Sequence, residues 1–463
     1  MSRLLLVSAN RCDFPYPVYP LGLAMVEDAM RRACHTTHLI DRQIDSTPLK
    51  QAIDEFRPDF IGLSLRNIDD VVFRRCETYF GAVVDICEEL RAHSTCPVIL
   101  GGSGFSIFPD QLMEMGRADF GIRGEGEETL AQLLSALETG GDYRDMPGLC
   151  FRQDGRVHVN PRGSPPARLD LPAAPRPERL AGYYLKESSM LNLQTQRGCS
   201  FECCYCTYPL LEGRRHRRRP PELIAEEMAL LQRQGARYVF VVDSVFNSSP
   251  THVMETCEAI IRRDVKIQWC CFLRPQGLTR EQMAIMARAG LTHIEFGSDS
   301  FCDPVLSAYG KYFRFDDIAR ASELAHAEKI DYCHFLICGG PGETIETLRH
   351  SHQNSKHLPN AVILALPGMR VYPGTPLFSR AKNDGGCPDE TGLLDPHFYF
   401  APGLAPEAVS RELAAFSAES PNWIVNEPQA AYYALAKRLR QRGVVGPLWS
   451  YLSLMQRVLP RPN

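Results

Sequence analysis

Short apolar runs alternating with helix-period stretches organise the first 140 residues of the chain. Runs at 4–7, 38–40, 60–65, 98–100 and 120–122 predict strands, and 21–32, 74–91 and 109–115 carry apolar residues at helical spacing. Five β/α units in this order predict an α/β fold: an open, mostly parallel, doubly wound sheet of flavodoxin or Rossmann type with helices on both faces. Such sheets take ligands outside the carboxyl ends of their strands. The loops there are built from small residues: Ser8-Ala9-Asn10, Ser64, and Gly101-Gly102-Ser103-Gly104.

From 141 to 189 the periodicity fails and Pro161, Pro165, Pro166, Pro172, Pro175 and Pro177 crowd together, which predicts a linker after a domain at 1–140. A second β/α series fills 190–380, with strands expected at 191–196, 238–242, 266–272, 293–296, 332–337 and 361–366. Six such units predict a partial (β/α)6 barrel, whose loops after the strands carry the chemistry as in complete barrels. Thr279 with Glu281 and Gln282 marks the start of one intervening helix, and Ala289-Gly290 its end. Residues 381–463, with Pro and Gly punctuation before a helical tail, predict a small, mainly helical C-terminal region without a catalytic role.

Composition adds bounds. A length of 463 residues exceeds one ordinary core and fits two or three domains. With 44% apolar and 23% charged residues the chain reads as soluble and globular, and a net charge of -4 gives no general attraction to nucleic acid. The apolar run after Arg3 stops at Ser8, which is no signal peptide, and no apolar stretch approaches the roughly 20 residues of a membrane span. A cytoplasmic location with reduced thiols is therefore expected for the 17 cysteines. The basic run at 214–219 lacks a second basic block or interleaved aromatics, so a solvated or domain-bridging surface is expected. The tail at 449–459 is expected to pack on the barrel, with a peripheral membrane contact as the alternative. His293 and His334 read as satisfied strand residues, with His334 facing the strand-end site as its alternative.

One cluster of cysteines stands apart. Cys199, Cys203 and Cys206 follow the first strand of the second series at C-x3-C-x2-C spacing, close enough for one loop to wrap three thiolates around a metal centre. Structural zinc takes four ligands, usually in two pairs, and no partner pair lies nearby; Cys204, adjacent to Cys203, is an awkward fourth. A four-iron cluster can be held by three cysteines with one iron left open. The spacing thus favours a reactive cluster, while Cys204, Cys270 and Cys271 read as packed small apolar residues. Asp243 and Asn247 follow the second strand, where a helix cap and a site role stay equally open.

The segment 197–206, with Tyr205 before the last cysteine, resembles the signature of the radical S-adenosylmethionine (SAM) superfamily. Similarity continues through Gly339-Gly340-Pro341-Gly342-Glu343-Thr344 and Tyr372-Pro373-Gly374-Thr375-Pro376-Leu377. Together with the N-terminal domain, residues 1–380 resemble the cobalamin-binding subgroup. Arg66-Asn67-Ile68-Asp69-Asp70, Gly101-Gly102-Ser103-Gly104-Phe105 and Gly124-Glu125-Gly126-Glu127 are similar to members associated with lipid or natural-product biosynthesis.

The resemblance implies a [4Fe-4S] cluster on Cys199, Cys203 and Cys206, whose open iron chelates SAM. An electron from a donor such as flavodoxin or ferredoxin then breaks a carbon–sulfur bond to give a 5′-deoxyadenosyl radical. Expected SAM contacts are Tyr205, Arg274 on the methionyl carboxylate, Ser298 and Asp299 on polar groups, and Gly339 and Gly340 by close backbone approach. For cobalamin they are Ser64, Gly101, Gly102, Ser103 and Gly104. The corrinoid loop D-x-H-x-x-G has no counterpart in Asn10-Arg11-Cys12-Asp13-Phe14-Pro15, so no histidine of that motif ligates cobalt. The implied function is cobalamin-dependent methyl transfer to an unactivated carbon of a small lipid-like or secondary-metabolite substrate. A radical cyclase, oxidase or rearrangement enzyme is the alternative within the class, and a non-catalytic corrinoid- or cluster-binding sensor the alternative outside it. The catalytic residues stay unnamed.

Overall fold

The computed structural model describes residues 1–12, 16–169, 171–425 and 437–451. The chain divides into two compact units: Met1–Pro166 with Leu210–Gly213 and Pro388–Pro396, and Ala167–Pro209 with Arg214–Cys387 and His397–Asn463.

The first unit is built on β1 (Arg3–Ser8), β2 (Thr36–Asp41), β3 (Phe60–Ser64), β4 (Val98–Gly101), β5 (Phe120–Ile122), β6 (Leu149–Gln153) and β7 (Arg156–Val159). The sheet order is β2-β1-β3-β4-β5-β6-β7. β1 to β5 are parallel, and β6 and β7 add an antiparallel edge. Leu4, Leu5, Leu6 and Val7 are all at most 1% exposed, because crossover helices cover both faces of a parallel sheet and leave no place for alternation. The chain turns from one side of β1 to the other between β2 and β3, which puts a ligand crevice at the loops after β1 and β3.

Two expectations change here. Within the stretch read as a linker, 141–189, the chain forms the β6–β7 hairpin and the helix Glu178–Ser188. The hairpin turns at Asp154-Gly155, both with positive φ (50° and 76°), as a type I′ turn requires. The prolines on its far side hid this Asp-Gly signal. The helix expected at 74–91 instead covers Phe80–His93. Ahead of it, the Asp70 carboxylate accepts from the Val72 and Glu77 amides at 3.1 and 3.0 Å and closes a compact loop that competes with helix.

The second unit contains β8 (Leu191–Leu193), β9 (Gln196–Arg197), β10 (Arg217–Arg218), β11 (Tyr238–Val241), β12 (Gln268–Leu273), β13 (Leu291–Asp299), β14 (Asp331–Cys338), β15 (Val362–Pro367), β16 (Met369–Arg370), β17 (Phe398–Tyr399) and β18 (Trp423–Ile424). The main sheet runs β18-β15-β14-β13-β12-β11-β8 and is parallel throughout. The barrel segment thus has seven strands rather than six, the last supplied by the region read as mainly helical. A two-residue strand has no period to detect; Trp423 holds it in place. Its indole is 1% exposed, donates to Ser355 Oγ at 3.0 Å and packs on Phe416, itself stacked on His352 at 4.3 Å. The helix at 280–288 has the expected Thr279–Gln282 capping box.

The basic run is half internal. Arg217 and Arg219 are 4% and 1% exposed. Arg219 and Arg176 each meet Glu227 at 2.6 Å, and Arg219 also donates to the Gln194 carbonyl at 2.7 Å. This buried Arg–Glu–Arg group ties the entry of the unit to the first barrel strands. Arg217 and Arg219 thus depart from the solvated or domain-bridging surface expected for 214–219. Of the tail, Trp449 is buried and donates to Glu295 Oε1 at 2.9 Å, while 452–459 lies outside the described residues. Among the described residues no helix is long and apolar enough to cross a membrane.

Candidate functional site

The cysteine loop leaves β9, which turns from the main sheet to pair antiparallel with β10. Its backbone is held on several sides. The Ser244 hydroxyl donates to the Gly198 carbonyl at 3.0 Å, the Ser200 amide to His216 Nε2 at 3.4 Å, and the Cys204 amide to the Tyr309 carbonyl at 2.9 Å. The Leu377 amide, from the Tyr372–Leu377 motif, donates to the Cys204 carbonyl at 2.9 Å. Gly310 packs so close that a Cβ there would lie 2.4 Å from the Glu202 carbonyl oxygen. Asp243 accepts from the Thr195 and Gln196 amides at 2.7 and 3.2 Å, and Asn247 bonds both backbone groups of Arg274 at 2.8 Å. Both side chains therefore fix loops at the strand ends rather than cap a helix.

Burial raises the pKa of Cys199, with Cys203 adding to the rise, and lifts that of Cys206 to about 12, with Cys203 and Cys199 adding to it. Among the described residues no group of three His, Cys, Asp or Glu is placed to hold a metal ion. Two cations face them. Arg274 stacks its guanidinium 3.9 Å from the Phe201 ring centroid and interacts electrostatically with Cys203 and Cys199. Its buried Nε has no partner. Lys311 bonds Asp299 at 2.5 Å and donates to the Cys203 side chain.

The other expected SAM contacts separate. Tyr205 donates to Asp299 Oδ2 at 2.5 Å, so these two and Lys311 form one group beside the cysteines. Asp299 has φ 64°, a left-handed conformation that ends β13 at a register shift and turns its side chain to the loop. Ser298 is turned away. Its hydroxyl bonds His334 Nδ1 at 2.8 Å, and His334 Nε2 bonds Ser322 of a flanking helix at 3.1 Å. The period-two alternation of a strand turns Ser298 and His334 toward the flanking helix. Gly339 and Gly340 are also explained internally. The Gly339 amide donates to Glu343 at 2.5 Å and the Gly340 amide to Tyr309 Oη at 3.0 Å, while Cβ atoms there would strike Phe400 and Tyr309. Their smallness serves the packing of this chain. Sequence reading missed Lys311, Tyr309 and Glu343. Glu343 lay in a quoted motif, whereas Lys311 carried no signal beyond following Gly310.

In the first unit, Ser64, Gly101, Gly102, Ser103 and Gly104 gather at the ends of β3 and β4. Gly102, with φ 100°, lets the loops meet: a Cβ would lie 2.3 Å from the Leu65 carbonyl oxygen. Nothing lies within 4 Å of a Cβ at Gly101, and Ser103 is exposed, its hydroxyl donating to the Arg66 carbonyl at 2.8 Å. Asn10 Oδ1 accepts from the Arg66 and Asn67 amides at 2.6 and 3.2 Å, and its buried Nδ2 has no partner. Residues 13–15 of the motif-free loop lie outside the described residues.

Comparison with known proteins matches both units. The family described as the Radical SAM superfamily matches residues 193–353, and the B12 binding domain matches 8–134. The chain is 25% identical over 426 residues to tryptophan 2-C-methyltransferase of Streptomyces laurentii, covering 77% of this chain and 71% of the relative. It is 26% identical over 368 residues to hopanoid C-3 methylase of Methylococcus capsulatus, covering 77% and 67%. Its fold is shared with the radical S-adenosylmethionine methyltransferase TsrM of Kitasatospora setae, at TM-score 0.87 and 23% identity over 98% of each chain. With a B12 binding domain match ahead of a Radical SAM match that carries three cysteines on its first loop, the chain has the domain pair of cobalamin-binding radical S-adenosylmethionine enzymes.

Proposed function

We propose that this protein transfers a methyl group from SAM, through cobalamin, to an unactivated carbon of a small lipid-like or secondary-metabolite substrate. The observation that carries this reading is the loop of three thiols at the carboxyl ends of a parallel barrel segment, beside a buried guanidinium with an unpartnered nitrogen. The donor set fits an iron–sulfur cluster: Cys199, Cys203 and Cys206 are three thiols without a paired fourth, and metal binding displaces the protons that burial holds on Cys199 and Cys206. Arg274 Nε fits a carboxylate. In the first unit, the unpartnered Asn10 Nδ2 and the open space at Gly101 fit the polar edge of a corrinoid. When bound, the cluster supplies the electron that breaks a carbon–sulfur bond of SAM, and the corrinoid supplies a carrier for methyl.

The residues of the chain do the holding. Arg274, braced by Phe201 and by Asn247, orients the methionyl carboxylate. Tyr205 and Asp299 form a polar wall next to the cysteines, and the loop after β4 receives the corrinoid. A one-electron donor such as flavodoxin or ferredoxin completes the scheme, and the cytoplasm is its proposed location. The methyltransferase names of the two curated relatives support methyl transfer over the other radical outcomes.

The test is incubation of the anaerobically reconstituted, cobalamin-loaded protein with methyl-deuterated SAM and panels of isoprenoid lipids and aromatic amino acids. Label in a product, with S-adenosylhomocysteine released, is expected. Product without label, alongside 5′-deoxyadenosine, would replace this reading with a cyclase or oxidase. No cleavage of SAM under any condition would leave the sensor reading.

A further inference from the structure

Lys311 is an unusual occupant of a barrel interior. Its side chain is 8% exposed, as is fitting only for a paired ammonium, and its partner Asp299 is 4% exposed. The ammonium nitrogen lies 2.5 Å from Asp299 Oδ2, 3.2 Å from the Gly297 carbonyl oxygen, and donates to the Cys203 side chain. Asp299 is itself clamped by the Tyr205 hydroxyl at 2.5 Å, and the lysine stands 5.7 Å from the Tyr205 ring centroid. One cation thus meets the cysteine loop twice, at Cys203 and, through Asp299, at Tyr205.

We propose that Lys311 is a positioning residue that sets the reduction potential of the cluster, by donating to the Cys203 sulfur, and that Asp299 and Tyr205 meter its charge. This rests on the reading that the three cysteines hold a cluster. A hydrogen bond or a positive charge at a ligating sulfur stabilises the reduced, more negative state and raises the potential. The effect is strong here because the pair is out of water, where charges are weakly screened. Asp299 opposes it, since its carboxylate neutralises the ammonium it anchors. The two residues therefore push the potential in opposite directions, although they form one ion pair.

The experiment is a potentiometric titration of the reconstituted full-length protein, followed by electron paramagnetic resonance, with iron content as the control for assembly. Lys311→Met is expected to shift the midpoint to more negative potential at unchanged iron content, and Lys311→Arg to recover part of that shift. Asp299→Asn is expected to shift it to more positive potential. Iron bound with midpoints equal to wild type, or both variants moving in the same direction, overturns the proposal while leaving the cluster reading intact. If a variant fails to assemble, the Lys311→Arg and Tyr205→Phe proteins decide: Tyr205→Phe removes a donor from Asp299 and must shift the midpoint opposite to Asp299→Asn. A wild-type protein without a four-iron signal overturns both readings.

Discussion

Glu343 provides a test of the packing argument that requires no cofactor. Its side chain is 4% exposed, and burial pushes its pKa up to about 7, against the lowering effect of bonds from the Gly339 amide and the Tyr309 hydroxyl. Tyr309 has one proton to give, while its oxygen lies 2.8 Å from the Ile337 carbonyl and 3.0 Å from Glu343. A protonated Glu343 resolves that competition by donating in turn. The pKa in the folded chain thus exceeds the ordinary value of 4.5, and the folded state binds more protons between the two. The stabilising contribution is complete below about pH 4.5 and is lost as pH rises toward 7. Two to three pKa units correspond to about 3 kcal/mol. Glu343→Gln keeps an acceptor for Gly339, offers an N–H to Tyr309 and does not ionise. By calorimetry, the variant is expected to gain on wild type from pH 5 to pH 8, reaching about 5 °C in thermal midpoint for a unit of this size. The difference between the two proteins isolates Glu343, because buried neutral His252 and His334 act in the opposite sense and are common to both. A difference that does not change with pH, or a variant less stable than wild type at pH 8, would refute the reasoning.

Arg274→Met should weaken SAM binding to the reconstituted protein by about 10- to 100-fold in calorimetric titration, the equivalent of one charge-assisted hydrogen bond, with iron content unchanged. Gly102→Ala places a methyl 2.3 Å from the Leu65 carbonyl oxygen and should abolish corrinoid uptake, read by absorbance, while leaving the iron of the second unit in place. Trp423→Ala removes the anchor of β18 and should cost about 3–5 kcal/mol, measured by denaturant unfolding; a loss below 1 kcal/mol would mean the seventh strand is incidental to the barrel.

The strongly periodic parts of the fold were legible in the sequence. Fully buried parallel strands such as 4–7 and 98–100 read as unbroken apolar runs, and the helix Leu21–Arg32 carried its period from end to end. What escaped was short or locally determined: the Asp154-Gly155 hairpin among prolines, the loop drawn together by Asp70, and a strand of two residues fixed by one tryptophan. At the site, spacing located the cysteines because three ligands on one loop must be close in sequence. Contacts made by strand ends are a different problem. A single residue of phase decides whether a side chain meets the loop or the helices, so Asp299 faces the cysteines and Ser298 does not. Lys311 and Glu343 reach the site from distant loops, and only the folded chain brings them there.

The central claim is that Cys199, Cys203 and Cys206 hold a four-iron cluster with one iron free for SAM. Electron paramagnetic resonance of the anaerobically reconstituted and reduced protein, recorded with and without SAM, tests it directly. About four iron atoms per chain, a signal that changes on adding SAM, and loss of that signal in Cys203→Ala are predicted. Zinc in place of iron, or a signal indifferent to SAM and to Cys203→Ala, would contradict the account.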